Sequence, residues 1–592
     1  MVCFICERRC HMEEGSIGAC RRYECKEGTI HERFAHTYLV TAPISAETMP
    51  VLHFHPRAKF LQISTTGCNF DCDGCISTVV AKEMDTDSKA LHVLSPEQIV
   101  QKARSLNCTG IAFLMNDPLA SFFTFLEVCK LAKQAGLVTG CSSNGYFTLQ
   151  SLDMLIPYLD FINIGLKGLS NTVYRSCHAT SYKPVLRNIA YLVQKGVHVE
   201  VACIHKKGNE SEVVAIAEHL ATLSKTIPLQ LMRFIPINDA AIEDEPSIQD
   251  SETLYQTLKT RLDYVYLFNS PGSECLHTYC PSCGALIFER DFYGPMGSKL
   301  RKIHHFKEGR CTQCAHTLAI SGAPSQTVFD EEGFEGGYPM TRALEIVEGT
   351  LVALGVDNQR DVTRCWEELL ADNGLKKLHV DIQNFDNYAA TILFLARIVD
   401  KEENAKALIA YMRDKIDTIV NALTGVTHRP SVYYVMGKPL FALEDTRLEN
   451  QLVELAGGVS LNKMLVLDGR PGRKIAREEL LKLNPDVIFI SSFLDSPLEA
   501  FYDACREEHI DVEAVRKHHV YAHPYPCFDF GSPRWILGLM YIADMLHPEI
   551  FHFDIHHEAT LFYKQFYHRT FEASMLNRSF AKPSRDHRLN RL

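Results

Sequence analysis

Between Lys59 and Phe268, short apolar runs rich in β-branched residues alternate with stretches whose apolar positions recur at helical spacing. FLQIST, TGIAFLM, LVTGCSS, FINIGL, VHVEVACI and LQLMRFI predict six strands. Helices are predicted between them. In SPEQIVQKARSLN, Ser95 is placed to cap, Pro96 to open the first turn and Gln98 to complete a capping box. FTFLEVCKLAKQAG and YKPVLRNIAYLVQKG each end on a glycine suited to a left-handed C-cap. Regular βα repetition predicts a parallel sheet, open or curled into a barrel, with chemistry at the C-terminal ends of its strands. Residues 321–340 (SGAPSQTVFDEEGFEGGYPM) are rich in Gly, Pro and acids and read as a linker. Beyond them the pattern turns helical, and strand–helix alternation returns from Val432 to Val520.

A chain of 592 residues predicts two to four domains. Its net charge of −11 gives no electrostatic reason to bind nucleic acid, and the basic stretch from His568 to Leu592 reads as a solvated tail. No apolar run reaches the roughly 18 residues of a membrane helix. MVCFICERRC does not read as a signal peptide, because cysteines and charge interrupt its apolar patch. The expectation is a cytoplasmic protein that contacts neither nucleic acid nor membrane. In that compartment, 21 cysteines predict metal or iron–sulfur ligation in place of disulfides.

TTGCNFDCDGCIS follows the first predicted strand and spaces Cys68, Cys72 and Cys75 as CxxxCxxC. Three thiols on one tight loop would leave one iron of a 4Fe-4S cluster open to an exogenous ligand; the spacing alone also fits a zinc site or a redox loop. Polar residues recur at successive strand ends: Asn116 and Asp117 at the second, Ser142, Ser143 and Asn144 at the third, Lys167 at the fourth, Arg233 at the sixth. Such recurrence is what a cofactor-binding barrel mouth requires. Cys280, Cys283, Cys311 and Cys314 form a CxxC…CxxC pair that suits zinc, a rubredoxin-like iron or an auxiliary iron–sulfur cluster. Cys3, Cys6, Cys10 and Cys20 are a weaker constellation, readable as a metal site or as free, redox-active thiols. Cys108, Cys129, Cys141, Cys177 and Cys203 sit in apolar runs and read as core.

On the Cys-rich N-terminus with Gly15 and Gly18, on CNFDCDGC, MNDP, AGLVTGCSSNGY, LKGLSNTVYR, PVLRN, GVHVEV, RFIP, YVY, TYCPSCGALIFER and GRCTQC, residues 1–320 resemble the radical S-adenosylmethionine (SAM) proteins of the AmmeMemoRadiSam system, relatives of pyruvate formate-lyase activating enzymes. The resemblance implies a partial (βα)6 barrel and a 4Fe-4S cluster on Cys68, Cys72 and Cys75. It also implies SAM positioned by Asn116, Asp117, Ser142, Asn144 and Lys167, and an electron donor such as flavodoxin or ferredoxin. Three positions depart from the family: Gly74 stands where an aromatic residue usually precedes the last cluster cysteine, Met115 replaces a tyrosine, and Gly165 replaces the acid of an Asp-x-Lys element.

Residues 341–567 resemble the periplasmic binding proteins for iron chelates and cobalamin, on TILFLARIVDKEENAKALIAYMRDKIDTIVNAL, PSVYYVMG, QLVELAGGVSLNK, REELLKLNPDVIFIS, VRKHHVYAHP, FGSPRWILGLMYIADMLHPEIF and FYKQFY. That resemblance implies a bilobal α/β domain joined by a long helix, with a ligand cleft for which Tyr434, Met436, Tyr525, Phe528, Asp529 and Arg534 are candidates. The expected partition is a Cys-rich segment (1–50), a radical SAM core (51–272), a ribbon (273–320), a linker (321–340), the binding-protein-like domain (341–567) and a basic tail (568–592). The expected function is a radical SAM enzyme that makes a 5′-deoxyadenosyl radical to modify a small molecule or cofactor, such as a metal chelate or tetrapyrrole, handled by the C-terminal domain. The alternatives are a glycyl-radical-enzyme activase, with a protein substrate, and a metal-chelate- or cobalamin-binding protein without radical activity.

Overall fold

The architecture comes from a computed structural model, which describes residues 1–572 apart from 73, 85, 237–240, 335–336, 357, 372–373, 468–469, 495–496, 524–527 and 529. The N-terminal half is built on one sheet: β1 (Val40–Ser45), β2 (Lys59–Ser64), β3 (Gly110–Phe113), β4 (Val138–Ser143), β5 (Phe161–Gly165), β6 (His198–His205), β7 (Leu229–Arg233) and β8 (Val265–Phe268). The strands lie in chain order; β2 to β8 are parallel and β1 runs antiparallel at the edge, with Val40 opposite Ser64. All six predicted strands are present. The seventh parallel strand, β8, was not among them.

Helices α1 (Pro96–Ser105), α2 (Phe122–Gln134), α3 (Leu149–Leu155), α4 (Lys183–Gln194), α5 (Glu210–Leu223) and α6 (Ile248–Lys259) provide the crossovers. Their ends follow the sequence signals. At α1, Ser95 Oγ accepts from Gln98 N at 3.3 Å and Gln98 Oε1 accepts from Ser95 N at 2.8 Å, the predicted reciprocal box. Gly136 and Gly196, just past α2 and α4, take φ of +75° and +78°, where a side chain would be strained. Short crossovers that pack back on a parallel sheet keep all C-terminal strand ends on one side, so the polar residues predicted there gather at one mouth.

An antiparallel ribbon follows: β9 (Thr278–Tyr279), β10 (Leu286–Phe292) and β11 (Ser298–Ile303). The stretch read as a linker is fastened to the ribbon and the sheet edge. Glu331 is buried, accepts from Ser45 N at 2.7 Å, and pairs with buried Lys299.

The C-terminal half opens with helices α7 (Tyr338–Ala353), α8 (Gln359–Leu370), α9 (Gly374–Asp381) and α10 (Phe385–Ile398), then the 21-residue α11 (Glu402–Ala422). The long helical pattern read from sequence breaks between α10 and α11 at Asp400, which has φ +55°. A mixed sheet follows, formed by β12 (Ser431–Val435), β13 (Phe441–Leu443), β14 (Val459–Ser460), β15 (Gly472–Lys474), β16 (Val487–Ile490) and β17 (Val520–Ala522), and covered by the wholly buried α12 (Trp535–Leu546). One apolar core runs from the sheet of the N-terminal half (Ala112, Leu114, Met115) through Leu344 and Trp366 to Trp535 and Phe562. Among the described residues, no helix is long and apolar enough to cross a membrane.

Candidate active site

The chain leaves β2 into the loop that carries Cys68, Cys72 and Cys75. Gly67 and Gly74 have φ of +89° and +61°, so the turn before the last cysteine uses a conformation that glycine adopts readily. That gives a backbone reason for Gly74 where the family carries an aromatic residue. Lys82, in the helical turn after the loop (Val79–Glu83), donates to Cys72 O at 2.6 Å and pairs with Asp71 at 2.5 Å. Asp73 lies outside the described residues.

Asn116 is buried at the end of β3, and its amide is fully engaged with this loop. Oδ1 accepts from Thr65 N and Ser64 Oγ, both at 3.0 Å, while Nδ2 donates to Thr65 Oγ1 at 2.9 Å and Gly67 O at 3.0 Å. Asn144 acts similarly: Nδ2 donates to Asn69 Oδ1 at 2.7 Å and faces Cys68 Sγ at 3.8 Å. Asp117 accepts from Asn144 N at 2.6 Å, Leu119 N at 2.9 Å and Ser143 Oγ at 3.1 Å. Burial raises its carboxyl to about 6, against the hydrogen bonds from Asn144, Leu119 and Ser143 that favour the charged form. Ser142 is half-buried at the end of β4.

Lys167 follows β5. Burial works against its charge, but the neighbouring thiols of Cys72, Cys75 and Cys177 outweigh this and hold the ammonium above its ordinary range. At Gly165, an added Cβ would stand 3.7 Å from Lys167 Nζ, so the ammonium occupies the neighbourhood of the missing family acid. Cys177 is buried, as its apolar context predicts, yet it hydrogen-bonds Cys72; sequence gave no sign of that contact. Arg233 does not join the site. It is buried in a pair with Glu245 at 2.8 Å and donates to Asn269 O and Pro246 O.

Sequence reasoning also missed Tyr338, the first residue of α7. It lies among protein atoms close enough to Lys167, Cys75 and Asp117 to feel their charges, and burial pushes its hydroxyl up to about 12. Cys68, Cys72, Cys75, Lys167 and Tyr338 each keep part of their surface accessible while protein encloses them. Gly337 N, one residue earlier, donates to buried Gln62 Oε1 at 2.8 Å, and Gln62 Nε2 reaches Met115 Sδ at 2.6 Å. The methionine that departs from the family therefore belongs to the contact that seats α7, which also packs on the turn Val79–Glu83.

The profile of the radical SAM superfamily matches residues 63–220, the segment that forms this mouth. An uncharacterised protein of Methanocaldococcus jannaschii, MJ0808, is 30% identical over 326 residues, 54% of this chain and 95% of its own length. The chain belongs to the radical SAM superfamily. A second M. jannaschii protein, MJ1632, provisionally named a glycyl-radical enzyme activating enzyme, is 24% identical over 229 residues, 38% of this chain and 84% of that one. The profile of periplasmic binding proteins matches residues 367–525. Solved relatives of that part include a periplasmic solute binding protein of Veillonella parvula (22% identity, TM-score 0.30) and CeuE of Helicobacter pylori (22%, TM-score 0.29). Each spans 33% of this chain, and the chain spans 62% of each.

Membership of the superfamily implies an iron–sulfur cluster and SAM, and the donor set fits. Cys68, Cys72 and Cys75 stand on one loop and feel one another's charge, Lys167 lies close enough to Cys72 and Cys75 to be held charged by them, and Asp117 lies close enough to Cys68 to raise its thiol. The ribbon is a separate centre. Cys280 and Cys314 bring their sulfurs to 3.6 Å, Cys283 and Cys311 to 3.7 Å, and all four lie within 4.8 Å of one another, a group that can hold a metal.

The C-terminal cleft expected from sequence differs from what is observed. Tyr434, Met436 and Phe528 are fully buried in the shared core. Tyr434 stacks on Phe489 at 5.9 Å, and Trp535 receives Phe385 and Tyr388 edge-on at 5.8 Å each. Tyr388 OH donates to Gly531 O at 3.1 Å, so α10 packs directly on the start of α12 and the turn before it. Arg534 is half-buried and held by Ser532 and Tyr563. Tyr525 and Asp529, the other two cleft candidates, lie outside the described residues, as does the basic tail beyond 572.

Proposed function

We propose that this radical SAM enzyme acts on a small molecule or cofactor that meets the barrel mouth beneath the C-terminal domain, with α7 as the cap. Tyr338 carries this reading: it comes from the C-terminal half and stands beside Lys167, Asp117 and Cys75. Cys68, Cys72 and Cys75 would hold the 4Fe-4S cluster. With SAM bound, that cluster supplies the electron that cleaves the sulfonium and yields a 5′-deoxyadenosyl radical.

The chain's own residues divide the remaining work. Lys167 would pair with the SAM carboxylate, and Asp117, in its ionised form, with the ammonium group; Ser142 adds a hydroxyl at the same rim. Asn116 and Asn144 would hold the cluster loop, since their amides already bond it. Tyr338 and the start of α7 would keep water and stray hydrogen donors from the radical. The ribbon spacing favours one tetrahedral zinc or iron, because metal–sulfur bonds of about 2.3 Å set sulfurs about 3.8 Å apart.

A second reading, a glycyl-radical-enzyme activase, is favoured by the name of MJ1632. A cap at the mouth argues against it, because an activase must admit a loop of another protein. The third, a ligand-binding protein without radical activity, loses support with three of its cleft candidates in the core.

The test is anaerobic reconstitution, dithionite reduction and electron paramagnetic resonance with and without SAM, with assay of 5′-deoxyadenosine. A SAM-responsive signal and nucleoside release, both lost in Cys72→Ala, are expected. Tyr338→Ala should raise nucleoside release without substrate. Fully reconstituted protein with no SAM-responsive signal would overturn the enzymatic reading; unchanged uncoupled turnover in Tyr338→Ala would remove the cap.

A further inference from the structure

We propose that Cys3, Cys6, Cys10 and Cys20 hold a second iron–sulfur cluster directly behind the Cys68 loop. The four thiols line one cavity, whose wall also includes Arg8, Tyr23 and Asn69. The segment is folded around them: Cys3 N donates to Cys10 O at 2.9 Å, and residues 2 and 11 pair as an antiparallel bridge. A hairpin, Tyr23–Lys26 with Thr29–Glu32, closes it. The sulfurs sit close enough to raise one another's thiols, with burial the larger cause: Cys3 goes up to about 11 and Cys6 to about 12. Thiols in such a group are held as thiolates by a bound cation.

Spacing separates a cluster from a single ion. One tetrahedral ion draws its sulfurs to about 3.8 Å, as in the ribbon. Among the described residues, the ribbon is the one group of three or more such ligands gathered within 4.8 Å. The N-terminal four share a cavity but are more widely spread, and so are Cys68, Cys72 and Cys75. Thiols bound to different irons of one inorganic core stand further apart than thiols on one ion, because the iron–iron edge lies between them. The N-terminal thiols are therefore not gathered as tightly as one tetrahedral ion gathers the ribbon thiols.

Position suggests its use. Asn69, the neighbour of Cys68, lines this cavity, and its carbonyl accepts from Arg8 Nη1 at 2.9 Å. Arg22 reaches across to Thr66 Oγ1, at 3.1 Å, on the same loop. Cys3 and Cys6 are buried, while Cys10 and Cys20 keep part of their surface exposed, which gives an outer side for a donor. One electron from a ferredoxin- or flavodoxin-type donor, itself oxidised by one electron, would reduce this cluster. Its reoxidation would leave the active-site cluster reduced by one. That destination rests on the radical SAM reading; the cluster itself does not.

Acid-labile sulfide and iron in the reconstituted full-length chain test it, because a rubredoxin iron or a zinc in the ribbon brings no sulfide. About eight sulfides per chain are expected, falling to about four in Cys6→Ser/Cys20→Ser. The triple variant Cys68→Ala/Cys72→Ala/Cys75→Ala should keep about four, with a dithionite-reduced signal that SAM does not move. This variant leaves the N-terminal module untouched, so it remains decisive if the first pair of substitutions fails to fold. No sulfide in the triple variant, or one zinc bound at the N-terminal thiols, overturns the proposal. Loss of SAM response with eight sulfides present would instead count against the enzymatic reading.

Discussion

Asn116→Ala separates two roles for one residue. Read from its strand end, Asn116 is a SAM ligand; in the structure its four hydrogen bonds all go to residues 64–67. Truncation leaves buried Thr65 N and part-buried Gly67 O without those partners. Each buried backbone group stranded in this way costs about 1–3 kcal/mol. Some relief by water makes about 2–4 kcal/mol a fair total for local opening of the loop. At 1.4 kcal/mol per factor of ten, the Thr65 and Gly67 amides should exchange roughly thirty- to several-hundredfold faster. Amides in β2 that bond only the sheet should be unchanged. Hydrogen exchange on the metal-free chain measures this without involving SAM, and iron retention after gel filtration should fall in parallel. Unchanged exchange at Thr65 and Gly67, with weakened SAM binding, would refute the bracing role and return Asn116 to the ligand shell.

The remaining predictions concern charge and metal. Asp117 holds its proton to about 6 in the folded chain against an ordinary 3.8. The stability linked to that proton is complete below 3.8 and is lost as pH rises through 6, about 3 kcal/mol in all. About 1 kcal/mol of it falls between pH 5 and 6, so Asp117→Asn should gain thermal stability relative to the parent between pH 5 and 7.5; parallel melting curves would contradict this. Gly165→Asp should fold normally, since its Cβ meets nothing nearer than 3.7 Å, and should lower the charge available to SAM by pairing with Lys167. Weaker SAM binding by calorimetry is the expected result. Cys283→Ala should lose one metal ion per chain and no sulfide; metal analysis that still finds the ion would show that the ribbon thiols do not hold it.

Much of the N-terminal half could be read from local pattern, because its signals are local. The Ser95–Gln98 box, the two glycine C-caps and the six strands follow from residues a few positions apart. Cysteine spacing likewise drew attention to both the cluster loop and the ribbon. Periodicity could place Asn116 and Asn144 at the right strand ends, but not say what they bond, since that depends on where another loop returns. The C-terminal candidates failed for a similar reason. Tyr434 on β12 and Met436 just past its end read as facing a cleft, yet both are buried in the core that the two halves share. Tyr338 carried one weak signal, a Tyr-Pro opening a helix after a pair of glycines. Nothing local links it to Lys167, 171 positions earlier.

The continuous apolar core has a mechanical consequence. In a binding protein built as two lobes about a connecting helix, each lobe needs its own core if they are to swing apart. Here Leu344, Trp366 and Trp535 belong to the same packed body as Met115 and Phe161, and Glu331 and Gln62 fasten the strap that joins the halves. Opening by a rigid hinge would tear that body across its middle. Access to the mouth must therefore come from small local movements, such as the first turn of α7 lifting over Gln62. Cutting the chain near residue 330 should yield two sticky fragments, not two working domains.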